Sequence, residues 1–168
     1  MGEWFFWIIW AIAILLFLSF TAVLLVGAPY LPTLKLARAQ ALDLLDLKPS
    51  QTLYELGSGD GSLLIDAAKR GINAVGYEIN PFLVTIAYFR CWSYRKKIKI
   101  VWGNYWQADL GKADAIFVFL LDKFMPRLDK KIETEKGKKQ IVLATHAFKV
   151  PGKKPIAKSG AVFLYTYK

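Results

Sequence analysis

Two hydrophobic patterns divide this chain. Residues 4–26, from Trp4 to Val26, form a run without a charged side chain. At about 1.5 Å per residue, a helix of this length reaches roughly 34 Å, more than the ~30 Å hydrocarbon core of a bilayer. After residue 33, short apolar runs alternate with amphipathic segments instead. The pattern therefore predicts one transmembrane helix followed by a folded domain.

A cleaved signal peptide is the alternative interpretation of the N-terminal run. Such a peptide has a basic segment, a shorter apolar core and a cleavage site of small residues. Only Met1-Gly2-Glu3 precedes this run, without a basic residue, and three tryptophans crowd its start as they do at membrane interfaces. We therefore expect a retained anchor over residues 1–27 and a second domain over residues 28–168.

The charges that flank the run predict an orientation. Lys35 and Arg38 follow it closely, so the positive-inside rule places the following domain in the cytoplasm and the N-terminus outside, in a single-pass membrane protein. Cys91 is the single cysteine, so no disulfide can form within the chain, which agrees with a reducing compartment.

From residue 34 onward the pattern predicts helices and strands in alternation. The predicted helices are 34–45, 62–70, 82–92 and 125–132, and the predicted strands are 52–56, 74–77, 98–102, 115–121, 140–145 and 162–167. This alternation is typical of an α/β fold with a doubly wound, mainly parallel sheet. The last strand alternates well enough to predict a sheet edge.

A glycine-rich turn follows the first predicted strand. Its sequence, Glu55-Leu56-Gly57-Ser58-Gly59-Asp60-Gly61, leads directly into the predicted helix 62–70. Glycines between a strand and a helix bring bare backbone close to a ligand. A second acid, Glu78, ends the next strand, where one carboxylate can bind both hydroxyls of a ribose. The G-x-G-x-G spacing differs from G-x-G-x-x-G and counts against a dinucleotide oxidoreductase.

These two motifs resemble those of class I S-adenosylmethionine-dependent methyltransferases. From about residue 28 onward the chain is similar to a small, membrane-anchored group of them. That group is related to the mitochondrial protein lysine methyltransferases of the ATP synthase c subunit and the adenine nucleotide translocase. Besides the glycine turn, the resemblance rests on the segments 29–33, 76–81, 113–115 and 145–148. It implies a Rossmann-like, seven-strand sheet with a shortened C-terminus, and S-adenosyl-L-methionine as the cofactor.

The resemblance also assigns candidate site residues. Those expected to bind the cofactor are Glu55, Gly57, Ser58, Gly59, Asp60, Gly61, Glu78, Ile79, Asn104 and Tyr105. The acids suit this ligand because its sulfonium and α-amino groups are cationic. Asn104 stands where many relatives carry an aspartate for the adenine amino group, and its carbonyl oxygen can still accept a hydrogen bond.

The candidate catalytic residues are Tyr30, Thr33 and Asp122. A lysine acceptor has an unperturbed pKa near 10.4 and must lose a proton before it attacks, and Asp122, Tyr30 or a water could take that proton. The only histidine, His146, follows the fifth predicted strand, and we favour a structural role for it. One histidine and one cysteine cannot build a metal cluster, so we expect no metal.

The sequence thus predicts methyl transfer, most simply to a lysine amine of a membrane or juxtamembrane protein. A lipid or quinone methyltransferase remains open, as does a non-catalytic, membrane-anchored module that binds the cofactor. The loop Leu120-Leu121-Asp122 is unlike the Asn-Pro-Pro-Tyr of amide and nucleobase N-methyltransferases, which argues against those substrates.

The net charge of +10 lies almost wholly in the second half of the chain. Residues 91–168 hold 17 basic and six acidic residues, a net of +11, and residues 1–90 a net of −1. Beside an anchor, such a surface predicts attraction to anionic lipid, at about 1 kcal/mol per basic residue. We expect no nucleic acid partner, because no recognised binding motif is present.

Overall fold

The computed structural model of the chain describes residues 3–26 and 33–168. Helix α1 occupies Glu3–Val26, and an α/β fold occupies the second range. In that fold, helices α2 to α5 span Lys35–Leu45, Ser62–Lys69, Pro81–Cys91 and Met125–Glu135. Strands β1 to β7 span Thr52–Leu56, Asn73–Glu78, Ile98–Trp102, Ala115–Val118, Ile141–His146, Ala157–Ser159 and Val162–Tyr167.

Helix α1 coincides with the predicted N-terminal helix, but the transmembrane assignment is corrected. Within the two ranges given above, no helix is both long and apolar enough to cross a membrane. The transmembrane part of the predicted fold class is therefore wrong. The uncharged run correctly predicted helical backbone, but helical length is a necessary property of a span and not a sufficient one.

The seven strands form one mixed sheet in the order β3-β2-β1-β4-β5-β7-β6. Strands β1 to β5 are parallel, and β7 is antiparallel to both of its neighbours, β5 and β6. The order reverses between β1 and β4, so the carboxyl ends of these strands open a crevice at that edge. In doubly wound folds such a crevice holds the ligand.

Both faces of the sheet are covered, which explains the continuous apolar runs in its central strands. Along β4, Ala115 and Phe117 face the core beneath α2 and α3, while Ile116 and Val118 face the core beneath α5. All four side chains are buried. The predicted doubly wound, mainly parallel sheet is confirmed.

Two predicted details of the sheet are wrong. Strand β7 lies between β5 and β6 and not at an edge, and five of its six residues are buried. The pattern missed β6 because a three-residue strand is too short to show a period. The predicted fourth strand also continued too far: β4 ends at Val118, and residues 119–121 turn toward the 3-10 turn Asp122–Phe124.

Candidate active site

The turn after β1 is built around an open space. The backbone N–H groups of Gly57 and Ser58 both donate to the carbonyl oxygen of Tyr77, at 2.9 Å each, and fasten the turn to β2. Gly57 has a φ of 90°, and a Cβ placed on it would meet nothing within 4 Å. Since an L side chain rarely adopts this φ, glycine both permits the turn and leaves room beside the backbone.

Two other glycines of the motifs serve close packing. A Cβ on Gly61 would lie 2.7 Å from the Sγ of Cys91 on α4. A Cβ on Gly76 would lie 2.5 Å from the Cδ1 of Leu64 and 2.6 Å from the Oγ of Ser58. These glycines let α3, α4 and β2 come together behind the turn, and they position it.

Glu78 holds the glycine turn from the adjacent strand. Its Oε2 accepts a hydrogen bond from the N–H of Gly59 at 2.9 Å, and its Oε1 accepts one from the N–H of Asn80 at 2.8 Å. The side chain of Asn80 in turn caps α4 by accepting from the N–H of Phe82 at 2.9 Å. A buried carboxylate that accepts two backbone N–H groups is well stabilised, so Glu78 is fixed at the predicted end of β2.

Glu55 is buried as deeply as Glu78 but is less well satisfied. Both residues are 6% exposed, yet the Oε2 of Glu55 has no hydrogen-bond partner among the described residues. Burial raises the pKa of Glu55 well above its ordinary value, and the nearby Glu78 and Asp66 raise it further, while Arg38 opposes the rise. A cationic ligand would favour the ionised form of Glu55, as the positive charge of Arg38 does.

Arg38 is a residue that the motif analysis did not assign to the site. Its Nε donates to the Oδ2 of Asp66 on α3 at 2.7 Å, and one terminal nitrogen donates to the carbonyl oxygen of Thr33 at 2.6 Å. No sequence signal marked it, because an arginine in an amphipathic helix is ordinarily a solvated side chain. Its position follows from the packing of α2 against α3.

Asp60 and Ser58 complete the turn in different ways. Asp60 accepts hydrogen bonds from the N–H of Ser62 at 3.1 Å and from its hydroxyl at 3.0 Å, and it forms an ion pair with Arg90 of α4. It therefore stabilises the start of α3. The Oγ of Ser58 is buried and has no partner among the described residues.

Three of the predicted cofactor-binding residues, Ile79, Asn104 and Tyr105, follow β2 and β3. The carbonyl oxygen of Ile79 accepts from the indole N–H of Trp102 at 3.1 Å. The Oδ1 of Asn104 accepts from the N–H of Trp106 at 3.0 Å and caps the short turn that begins at Tyr105. Tyr105 is buried, and burial raises its pKa. Asn104 thus has a structural hydrogen bond at the oxygen that we expected to face adenine, although a carbonyl oxygen has two lone pairs.

The structure positions the candidate catalytic residues less firmly than the residues of the glycine turn. Asp122 is exposed at the start of the 3-10 turn after β4. Thr33 is half-buried, and its backbone carbonyl binds Arg38. Tyr30 lies outside the described residues. The assignment of these three residues to catalysis stays a prediction.

His146 ends β5, the strand next to β4. Its ring lies 4.8 Å from that of Phe119, edge to face, and its Nδ1 is buried without a hydrogen-bond partner in the described part of the chain. Burial lowers the pKa of His146, so the imidazole is neutral at pH 7. The next residue, Ala147, has a strained φ of 67°. Spacing alone could not distinguish this environment from that of a satisfied structural histidine.

The comparisons with known proteins agree with this geometry. Residues 55–157 match the model of a family described as the ANTKMT methyltransferase domain. The chain is 30% identical to a protein-lysine N-methyltransferase of Saccharolobus islandicus (strain REY15A), over 76% of this chain and 81% of that protein. It is 34% identical to the lysine N-methyltransferase of the ATP synthase c subunit from Xenopus laevis, over 64% of this chain but only 48% of that protein. The chain thus spans about half the length of the Xenopus relative.

Solved structures share the fold of the α/β part. An RNA methyltransferase from Salinibacter ruber, solved with S-adenosyl-L-homocysteine, superposes with a TM-score of 0.74 at 25% identity, over 81% of this chain and 93% of that one. A methyltransferase from Geobacter sulfurreducens, solved with the same ligand, superposes with a TM-score of 0.55 at 16% identity, over 67% of this chain and 49% of that one, and shares the fold alone. Both neighbours confirm the predicted fold of the α/β part, and the ligand that they hold is the demethylated product of the predicted cofactor, S-adenosylmethionine. The match of the family model to most of the α/β part, together with the archaeal relative, shows that the chain belongs to the ANTKMT methyltransferase domain family.

Proposed function

We propose that this protein transfers a methyl group from S-adenosylmethionine to the amine of a protein lysine. One observation carries the proposal: the space beside Gly57 is open, and buried carboxylates of Glu55 and Glu78 stand at the ends of the strands on either side of the turn. Carboxylates suit a ligand whose sulfonium and ammonium groups are cationic and whose ribose donates hydroxyls. Membership of the methyltransferase family supports this reading of the geometry.

Direct methyl transfer to an amine needs no covalent intermediate with the protein. A neutral amine attacks the methyl carbon in line, and the bond between carbon and sulfur breaks. S-adenosylhomocysteine leaves with a neutral thioether sulfur, and the new methylammonium carries the positive charge. The residues around the site contribute mainly proximity and orientation. His146 ends β5 and Asp122 follows β4. The imidazole of His146, whose pKa burial lowers, and the carboxylate of Asp122 can each accept the proton of a lysine ammonium, directly or through water.

A more specific proposal is that the lysine belongs to a membrane or juxtamembrane protein. Relatives of this chain are named for the ATP synthase c subunit and for the adenine nucleotide translocase. The surface of residues 79–108 favours contact with anionic lipid headgroups. It carries five basic residues, no acidic residue, and exposed aromatic side chains that include Phe89, Trp92 and Trp102. The cytoplasmic location predicted from flanking charges stays a prediction.

Two measurements on the full-length protein test the proposal in order. Calorimetry should show binding of S-adenosylmethionine and S-adenosylhomocysteine and no binding of NAD. Labelled methyl groups should then pass from S-adenosylmethionine into proteins of the native host, and acid hydrolysis should release the label as methyl-lysine. Binding of NAD alone would refute the cofactor. Label in the lipid extract, with none in protein, would replace the lysine acceptor by a lipid or quinone, and binding without transfer would favour the non-catalytic module.

A further inference from the structure

The end of β5 lies at the same level of the sheet as the glycine turn. In the parallel register, Phe117 of β4 pairs with Glu55 of β1 on one side and with Ala144 of β5 on the other. Two positions further toward the carboxyl edge, the chain carries Gly57, Phe119 and His146. Phe117 and Ala144 face the core beneath α2 and α3. Because side chains alternate along a strand, His146 and Phe119 project on that same face, where their rings meet edge to face, 4.8 Å apart.

Only one strand, β4, separates the glycine turn from His146 in this row. Neighbouring strands lie about 4.8 Å apart, so the backbone at His146 is roughly 10 Å from the backbone at Gly57. The space beside Gly57 is open. The separation therefore leaves room for a cofactor beside the turn and for an acceptor amine between that cofactor and the imidazole.

The backbone around His146 is held in a strained shape by three hydrogen bonds. The buried hydroxyl of Thr145 donates to the carbonyl oxygen of Phe148 at 2.6 Å. The N–H of Phe148 donates back to the carbonyl oxygen of His146, and the N–H of Ala147 donates to the carbonyl oxygen of Ala161, at 2.9 Å each. Ala147 has a φ of 67°. Such strain persists only where the surrounding structure imposes it, and it is concentrated at functional sites.

The imidazole has no charged partner among the described residues. The charged groups on the elements around it are Lys35 and Arg38 of α2, Asp122 after β4 and Lys149 after β5. Arg38 pairs with Asp66, the Nζ of Lys149 lies 5.3 Å from the centroid of the Phe163 ring, and the other two are exposed. From β7, the uncharged Val162 stands opposite. Burial is the cause that lowers the pKa of His146, so its ring is neutral at pH 7.

We propose that His146 takes the proton of the acceptor lysine, and that Thr145 is a positioning residue that fixes the imidazole beside the crevice. The N–H bond of the lysine ammonium breaks, and the proton binds the neutral imidazole and later passes to water. The freed lone pair of the amine then forms the bond to the methyl carbon, while the electron pair of the carbon–sulfur bond stays on sulfur. A lysine beside a cationic cofactor gives up its proton more readily, because like charges disfavour the ammonium form. The inference rests on the proposed methyl transfer.

The position of the imidazole can be tested without any turnover. His146 is the only histidine, so proton NMR of the full-length protein follows its titration, and His146→Gln identifies the signal by its loss. We expect a pKa below 6.5 in wild type. In Thr145→Val the pKa should rise toward that value, because the released loop lets water reach the ring, and Thr145→Ser, which keeps the hydroxyl, should restore it. Thr134→Val is the matched control, since its hydroxyl donates to the carbonyl of Lys130 at 2.9 Å on α5.

The role in proton transfer is tested by the rate of label transfer from S-adenosylmethionine into a protein extract of the native host, between pH 4 and 9. In wild type the rate should fall on the acid side at the pKa that NMR measures. That acid limb should move upward with the pKa in Thr145→Val, and the rate at pH 8 should fall about tenfold. In His146→Gln the limb should disappear and the rate should fall about tenfold or more. Affinity for S-adenosylhomocysteine should stay within about twofold of wild type in both variants.

The outcomes separate the inference from the proposed function. An acid limb that persists in His146→Gln would overturn the inference. So would a Thr145→Val variant that changes neither the pKa nor the rate, or changes in Thr134→Val that are equally large. If circular dichroism shows that Thr145→Val does not fold, the comparison of His146→Gln with wild type decides. A wild-type protein that transfers no label to protein would instead refute the proposed function.

Discussion

The two halves of the crevice at the carboxyl edge of the sheet are built differently. On the side of β1 and β2, the backbone is tied across the strands, and Glu78 accepts two backbone N–H groups. On the side of β4 and β5, Asp122 is exposed and the Nδ1 of His146 has no partner among the described residues. The β1 and β2 half is organised by these hydrogen bonds before any ligand arrives, although the Oε2 of Glu55 and the Oγ of Ser58 there also lack a partner among the described residues. The β4 and β5 half has no such backbone bonds to its two candidate side chains among the described residues.

This difference fits the two partners of a methyl transfer. A cofactor always presents the same groups, so a preorganised site binds it more tightly, because little ordering of the site remains to be done on binding. An acceptor that arrives on another macromolecule supplies part of the surroundings of its own reacting amine. We therefore expect substitutions in the β1 and β2 half to change cofactor affinity strongly, and substitutions in the β4 and β5 half to change turnover more than cofactor affinity.

The largest effect is expected from Gly57→Val. The new side chain would enter the open space beside the turn, where we expect the cofactor, and would strain a residue whose φ is 90°, so cofactor affinity should fall about 100-fold or more. Gly137→Val is the matched control, since Gly137 also has a positive φ, of 58°, and open space around it. Calorimetry should show normal affinity in the control. Equal losses in both variants would assign the effect to backbone strain and not to the site.

Glu78→Ala should weaken cofactor binding by about 10- to 100-fold. The substitution removes both the carboxylate expected to bind the ribose and the acceptor for the N–H groups of Gly59 and Asn80, and hydrogen bonds to charged groups contribute about 1.5–3 kcal/mol. Glu135→Ala removes a comparable acceptor, that of the N–H of Leu110 at 2.8 Å, outside the crevice. If both variants lose only thermal stability and keep cofactor affinity, Glu78 serves the fold alone.

Glu55→Gln should separate stability from binding. The folded pKa of Glu55 is raised above its unfolded value, so folding favours the protonated form. The stabilising contribution is complete below the unfolded pKa, near 4.3, and is lost as the pH rises through the folded pKa. Glutamine cannot ionise, so the variant should exceed wild type in urea unfolding at pH 8.5 by about 1–3 kcal/mol, with little difference near pH 4.

The same variant should bind S-adenosylmethionine more weakly than wild type, because it has no carboxylate to offer. Greater stability at high pH together with unchanged affinity would place Glu55 outside the cofactor site. A stability difference that does not vary with pH would show that Glu55 has the same pKa in the folded and the unfolded protein.

The smallest effect on cofactor affinity is expected from the β4 and β5 half. His146→Gln and Asp122→Asn should each leave the affinity for S-adenosylhomocysteine within about twofold, and the one that accepts the proton should lower kcat about tenfold or more. Because burial lowers the pKa of His146, its protonation would appear as an acid limb below its ordinary range, and that limb should vanish in His146→Gln. If cofactor affinity falls in these variants as it does in Glu78→Ala, the two halves are not separate.

The strands that the sequence predicted best have strong local signals. The bounds of β1, β3 and β7 agree with the prediction, and α3 begins where the glycine turn predicted. The pattern did not predict the order of the strands in the sheet, and the three-residue strand β6 left no readable signal. The transmembrane assignment shows the opposite case: a strong local pattern predicted the helix correctly, but no helix in the described part of the chain is long and apolar enough to cross a membrane.

By itself, the sequence determined the chemistry available at the turn between β1 and α3. Glycines with positive φ and an acid at each strand end are local properties, since they depend on residue type and on a spacing of a few positions. Only the tertiary structure decided how the two acids differ. Glu78 meets the backbone N–H groups that satisfy it. Glu55 is buried with an unpartnered oxygen among the described residues, and burial raises its pKa, which the charge of Arg38, 17 positions earlier in the chain, opposes. The reason is that burial and the field of a distant charge are set by how helices pack on the sheet, and no spacing along the chain encodes them.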